Sequence, residues 1–168
     1  PMSLHDIIWK IPIFADLEKS DVDRLEASLI EREYSPGQKI FNKGDKGDSL
    51  YIIKKGRVKV AITSPKGEEA ILVTLGAGEI LGELSFIDGK RRSATVEAIE
   101  KTWVLCLLRE DFLGLMRRRF DLVIKVMAVL TQRLRDTDRL LAETHFLSLT
   151  SRLGQKIKGL GKGLGAKK

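Results

Sequence analysis

The amino-acid sequence predicts a mainly β fold, an antiparallel barrel or sandwich with helices before and after it. From Arg32 to Leu108 the apolar residues recur with a period of two, as on half-buried strands. Short runs are cut by Gly, Pro and Asp turns with no long helix between them, which argues against the βαβ units of a parallel sheet. On either side the period changes to three and four, the spacing of amphipathic helices.

Taken in order, Ser3 is placed to cap a first helix over SLHDIIWK. Ser20 with Asp21 is placed to open a second, SDVDRLEASLI, whose Val22, Leu25 and Leu29 share one apolar face. The strands are LYIIK (50–54), RVKVAIT (57–63), EAILVTL (69–75), ATVEAIE (94–100) and TWVLCLL (102–108), all rich in β-branched or aromatic residues. SPG, KGDKGD, KKG, SPKG, GAG and DGK stand between them, each a turn by its glycine, proline or aspartate. After Leu108, Glu110 and Asp111 mark the start of a helix through DFLGLMRRRF. A long helix follows from about Asp121 to about His145. Along it Val123, Met127, Leu130, Leu134, Thr137, Leu141 and Thr144 alternate spacings of four and three, a heptad seam. Such a seam suits a homodimer through residues 121–146; the same face can equally lie on the β domain and need no second chain.

The 168 residues, 43% hydrophobic and 32% charged, fit one globular domain with an accessory segment. No apolar run approaches the roughly 18 residues of a membrane span, and the start has no basic leader followed by an apolar stretch. With a single cysteine, Cys106, inside WVLCLL, these features predict a cytoplasmic protein without disulfides. His5 and His145 have no Cys or carboxylate cluster around them, so no metal is expected. No Ser-His-Asp, Cys-His or paired-carboxylate arrangement stands out, and an enzyme is not predicted. The net charge of +7 lies in the last segment: Arg152, Lys156, Lys158, Lys162, Lys167 and Lys168 face no acid there. A duplex-binding face on the body is therefore not expected.

Two phosphate-loop patterns fail on spacing. GAGEILG puts three residues between Gly78 and Gly82 where a dinucleotide fingerprint needs two, and GELSFIDGKR has Arg91 where a P-loop needs Ser or Thr. The segment GELSFIDGKRRSAT has a different chemistry. Gly82 permits a close turn, ELSF a single helical turn, and Arg92 with Ser93 supplies donors for an anion. Glu83 is acceptor-only, so it would repel phosphate but accept from a neighbouring hydroxyl such as a ribose 2′-OH. Donors for an anion beside one acceptor describe a sugar phosphate. Spacing alone equally fits a surface turn in which Glu83 and Arg92 form an ordinary ion pair.

FNKGDKGDSLYIIKKGRVKV followed by GEILGELSFIDGKRRSATVEA resembles the cyclic-nucleotide-binding domain family, over about Ile8 to Gln155. The resemblance implies an antiparallel, jelly-roll-like β-roll followed by a long dimerisation helix. It places Gly82-Glu83-Leu84 and Arg92-Ser93-Ala94-Thr95 at the two ends of a phosphate-binding cassette. By that likeness Arg92, Ser93 and the backbone at Ser85 would hold a cyclic phosphate, and Glu83 with Gly82 the ribose. Leu84 and Leu72 would line the pocket. Arg91 stands where many members carry proline. RLRDTDRLLAETHFLSLTSRLGQKI is similar to the bacterial cyclic AMP receptor and Fnr branch, in which a threonine of the long helix meets adenine; Thr137 matches it, and Asp138 replaces a neighbouring serine. The ligand implied is cyclic AMP, with cyclic GMP possible.

The domains predicted are 1–120 for the β-roll with its N-terminal helices, 121–147 for the dimerisation helix and 148–168 for a tail. In that branch FLSLTSRLGQKI would begin a winged helix-turn-helix, and DNA is an expected partner only if such a domain is completed. Five glycines between Gly154 and Gly165, mixed with lysines, predict a flexible tail. The functional expectation is a cyclic-nucleotide sensor module of a transcription regulator. The alternatives are a related sensory dimer with another effector or none, and a protein that binds nucleic acid through its basic tail.

Overall fold

The computed structural model describes the backbone of residues 3–164 and the side chains of residues 3–158. The chain divides into two compact units, one through Leu122 and one from Val123 onward. The first begins with α1 (Leu4–Lys10), a 3-10 turn (Pro12–Phe14) and α2 (Lys19–Ser28). Strands β1 (Leu29–Tyr34), β2 (Lys39–Phe41), β3 (Ser49–Lys55), β4 (Val58–Thr63), β5 (Glu69–Leu75) and β6 (Ile80–Leu81) follow. Then come α3 (Glu83–Asp88), β7 (Thr95–Ala98), β8 (Thr102–Leu108) and α4 (Arg109–Arg118). The last element is α5 (Phe120–Leu164), which starts in the first unit and makes up the second.

The strands form two antiparallel sheets, ordered β1-β8-β3-β6 and β2-β7-β4-β5, and not a closed barrel. Residues from both pack a common core, with Ile53 and Val104 of one sheet against Val58 and Val96 of the other. Each such side chain stabilises by about 1.5–3 kcal/mol on full burial. In β3, Ser49 to Ile53 are all buried, because its two faces are both covered. Cys106 lies buried in β8. Between β4 and β5 the register slips after Val60↔Val73, leaving Leu72 as the extra residue of a bulge.

The capping box at Ser3 forms as expected, with Ser3 and Asp6 bonding reciprocally. The second helix starts earlier than expected. Glu18 is its N-cap without a side-chain bond, and Asp21 lies within the first turn. The reason is tertiary: Asp21 accepts from the Arg119 guanidinium at 3.0 Å instead of capping its own helix.

The long helix runs 45 residues, about 67 Å at 1.5 Å per residue, and passes straight through the position where a flexible tail is expected. Each interior glycine costs about 1 kcal/mol relative to alanine, but no proline breaks the ladder and apolar residues keep helical spacing through Leu149, Leu153 and Ile157. Residues 165–168 of the expected tail lie outside the described residues. Along the seam Met127, Leu134 and Leu141 are exposed on this chain, Leu134 by 62%. Beyond Thr144 the same seam continues as Ser148, Ser151, Gln155 and Lys158, so its apolar part ends there.

Candidate functional site

The segment from Gly82 to Thr95 wraps a short helix between two left-handed glycines. Gly82 precedes α3 at φ 82° and Gly89 follows it at φ 71°, a region that side-chain-bearing residues rarely occupy. The chain then crosses beside the loop at residues 42–48. The Arg92 amide donates to the Asp45 carbonyl at 2.9 Å, and the Gly44 amide to the Arg92 carbonyl at 2.8 Å. Arg92 is thus fixed at its backbone before its side chain is considered.

That side chain is only 3% exposed. Nη1 donates to the Gly82 carbonyl at 2.8 Å and Nη2 to the Ser49 carbonyl at 2.7 Å. The guanidinium lies 4.3 Å from the centre of the Phe41 ring and 5.7 Å from that of Tyr51, within cation–π range. Nε is buried and has no hydrogen-bond partner. Burial pushes the guanidinium below the usual arginine range, while Tyr51, Asp48, Cys106 and Glu83 act in the opposite direction. Burial likewise pushes the Tyr51 phenol upward.

Glu83, at 5% exposure, opens α3 and faces the same charge electrostatically. Ser85 is buried two residues further on, against Gly47: a Cβ at Gly47 would collide with the Ser85 side chain and come 3.0 Å from the Lys90 carbonyl. The residues expected from the sequence therefore fall into three groups. Gly82, Glu83, Ser85 and Arg92 come together. Leu84 (52% exposed), Leu72 (47% exposed) and Ser93 lie on the surface of the same unit. Thr137 belongs to the helical unit, where its hydroxyl donates to the Arg133 carbonyl at 2.9 Å.

Sequence reasoning did not single out Phe41, Tyr51, Ser49 or Gly47. It also passed over Arg109, whose Nε donates to the Phe86 carbonyl at 2.6 Å and whose amide donates to the Asp48 carbonyl at 2.9 Å. The only signal was the spacing of FNKGDKGDSLYIIKKG, which fixes a glycine-rich loop but not what it touches. Chemically, a buried cation with an unused N–H beside a buried carboxylate suits an anionic ligand that also carries a hydroxyl. Among the described residues no group of His, Cys, Asp and Glu could hold a metal, and no helix is long and apolar enough to cross a membrane.

A family model, the Cyclic nucleotide-binding domain, matches residues 31–119. Over 155 residues the chain is 37% identical to the Cyclic AMP receptor protein of Thermus thermophilus, covering 92% of this chain and 72% of that protein. It is 28% identical to the CRP-like cAMP-activated global transcriptional regulator of Mycobacterium tuberculosis, over 96% of this chain and 72% of the relative. The crystal structure of the Thermus thermophilus Catabolite Activator Protein superposes with a TM-score of 0.70 at 38% identity, covering 80% of this chain and 63% of that one. The regulatory subunit of a cAMP-independent protein kinase A from Trypanosoma brucei superposes at 0.66 with 28% identity, over 76% and 45% of the two chains. The match covers both sheets, the loop at 42–48 and the whole Gly82–Thr95 segment, and on these grounds the chain belongs to the cyclic nucleotide-binding domain family and is related to the CRP-type regulators.

Proposed function

We propose that this chain is a sensor module that binds 3′,5′-cyclic AMP in the Gly82–Thr95 cassette and passes the signal along a dimeric α5, as part of a transcription regulator. The observation that carries the proposal is Arg92. It is buried at 3% exposure, donates to two backbone carbonyls, and keeps an unpartnered Nε with no carboxylate bonded to it. A buried cation left in this condition is costly, and an anionic guest is what offsets the cost. The ligand is a nucleotide because Glu83 stands beside the cation as an acceptor for a sugar hydroxyl.

Each role is the one that the family likeness implies, and the chemistry of the residue suits it. Arg92, Ser93 and the Ser85 backbone take the phosphate; Glu83 and Gly82 take the ribose. Leu84 and Leu72, apolar and half open to solvent, offer flat surface to a base; Thr137 of α5 is the residue to which the family likeness assigns the polar base contact. Two CRP-type relatives whose names specify cyclic AMP support that choice over cyclic GMP. The regulator role comes from the Mycobacterium tuberculosis relative's name, and the dimer from the heptad seam. The Trypanosoma brucei neighbour is the regulatory subunit of a protein kinase A described as cAMP-independent, which supports a second reading with another effector.

Calorimetric titration of nucleotide-free protein with cyclic AMP and cyclic GMP side by side tests the proposal. Saturable binding of cyclic AMP, with a raised melting temperature by linkage to the native state, is the expected result. Neither heat nor thermal shift with either nucleotide at millimolar concentration would overturn it.

A further inference from the structure

A second feature borders the cassette and shares its residues 89–91, none of which carries a role in the proposed nucleotide binding. A groove of about 470 Å³ is lined by Lys46, Lys90, Arg91 and Arg109, with Asp48 as its one acid. Three lysines elsewhere on the β domain are closely matched: Lys54 reaches Glu31 at 2.8 Å, Lys59 reaches Glu69 at 2.7 Å, and Lys101 reaches Glu33 at 2.8 Å. In the groove the matching fails. The shortest ion contacts are Arg109 to Glu110 at 3.8 Å and Lys90 to Asp88 at 3.9 Å, each to a near neighbour in sequence. Arg91 spends one N–H on the Gly44 carbonyl at 2.8 Å, and among the described residues neither Arg91 nor Lys46 has a carboxylate partner. The unit through Leu122 carries equal numbers of acidic and basic side chains, so this concentration is local. A concave wall focuses such a field.

We propose that this groove docks an acidic peptide segment of a partner protein. Its floor decides between a peptide and a nucleic-acid strand. Asp48 offers a carboxylate, which repels a phosphodiester backbone because that backbone presents acceptors only. A peptide brings N–H donors for Asp48 together with carboxylates for the four cations. Gly47 and Gly89 line the same wall without side chains, so a backbone can approach closely. Gly47 also rests on Ser85, so the groove and the cassette share a strip of main chain.

The probe is fluorescein-labelled octaglutamate, measured by anisotropy with the whole chain and located by amide chemical shifts. Lys46→Glu with Lys90→Glu changes two exposed lysines whose shortest ion contact is that of Lys90 with Asp88 at 3.9 Å. This pair should weaken binding about tenfold or more, while Lys39→Glu with Lys66→Glu, an equal change in net charge, should weaken it less than about threefold. Shifts should concentrate at residues 44–48 and 89–91. Equal losses in the two pairs, or shifts confined to residues 148–168, would overturn the proposal. An octathymidylate that binds the groove more tightly than the peptide, and is lost in the groove pair, would also overturn it by assigning the surface to nucleic acid.

Discussion

Gly82→Ala and Gly89→Ala form a matched pair, because the two glycines flank one six-residue helix and share a left-handed backbone. Alanine in that region costs roughly 1–2 kcal/mol at either site. Beyond the backbone the sites differ. A Cβ at Gly89 meets nothing within 4 Å, whereas one at Gly82 collides with Arg92 Nη1 and lies 3.1 Å from Cζ and 3.3 Å from the Ser49 carbonyl oxygen. The guanidinium cannot step aside freely, since Phe41 covers it and Ser49 holds its other nitrogen. Displacing it breaks two hydrogen bonds from a charged group, each worth about 1.5–3 kcal/mol, part of which water recovers. Gly89→Ala should therefore destabilise by about 1–2 kcal/mol and Gly82→Ala by about 3–5 kcal/mol, read from urea unfolding with unchanged m. Calorimetry on the same proteins should find cyclic AMP affinity near wild type in Gly89→Ala and lost or much reduced in Gly82→Ala. Equal destabilisation of the two variants, within about 1 kcal/mol, would refute the idea that Gly82 is small in order to seat Arg92.

Arg92→Ala should weaken cyclic AMP binding by about 2–5 kcal/mol, because the phosphate then meets no buried cation, and Glu83→Ala by about 1–3 kcal/mol for one lost hydrogen bond. Calorimetry on folded variants checks both, and unchanged affinity in Arg92→Ala would dismiss the cassette assignment. Leu134→Asp places a charge in the α5 seam and should convert a dimer to monomer by sedimentation; an unaltered sedimentation coefficient would remove the seam from the interface. The Asp121 carboxylate, bonded by Arg119 Nε at 3.0 Å and Nη2 at 2.9 Å, is held below the ordinary aspartate value of 3.8. A lowered folded pKa contributes stability above that ordinary value and loses it as pH falls through the lowered one. Asp121→Asn should accordingly flatten the acid limb of a urea-midpoint profile between neutral pH and pH 2, and an unchanged slope would refute it.

Much of the fold is legible in the sequence where a segment is long enough to display its period. The six- and seven-residue strands β3, β4, β5 and β8 each stand out as runs rich in β-branched or aromatic residues between turns. With three and two residues, β2 and β6 are too short to carry any period, and they exist because longer partners, β7 and β3, offer them free edges. The sequence places Leu29 and Ile30 in the second helix and names no strand before residue 50; residues 29–34 form β1 because each pairs with one of β8, from Leu29↔Leu107 to Tyr34↔Thr102. The site divides in the same way. Glycines and charges at fixed spacing expose Gly82, Glu83 and Arg92, whereas the carbonyl of Ser49 is an acceptor that any residue would have supplied. Phe41 and Tyr51 lie ten positions apart on strands of different sheets, and only their packing puts both rings against Arg92.

Arg119, half-buried, supplies the comparison that supports the proposed binding role of Arg92. Arg119 stands in a run of three arginines ending α4 and is saturated by carboxylates, Asp121 at 2.9 Å and Asp21 at 3.0 Å, with the Asp16 carbonyl at 3.0 Å. Those bonds drive its pKa far above the usual range, with Asp121 the larger cause and Asp21 next. Such a group has no capacity for a guest and serves to pin α2 to the end of α4. Arg92 shows the opposite balance. It is the more buried of the two, desolvation dominates its shift, and its bonded acceptors are neutral carbonyls. Had stability alone shaped the position, either a bonded carboxylate or an apolar side chain of similar volume would serve better, since unpaired buried charge is the costliest arrangement. Under the proposed function, the anionic partner of Arg92 is the cyclic nucleotide from solution. Arg92→Met separates the two demands: it should leave the ligand-free protein at least as stable as Arg92→Ala while removing the thermal shift with cyclic AMP. A Met variant that still gains melting temperature on adding cyclic AMP would mean that the anion is held elsewhere.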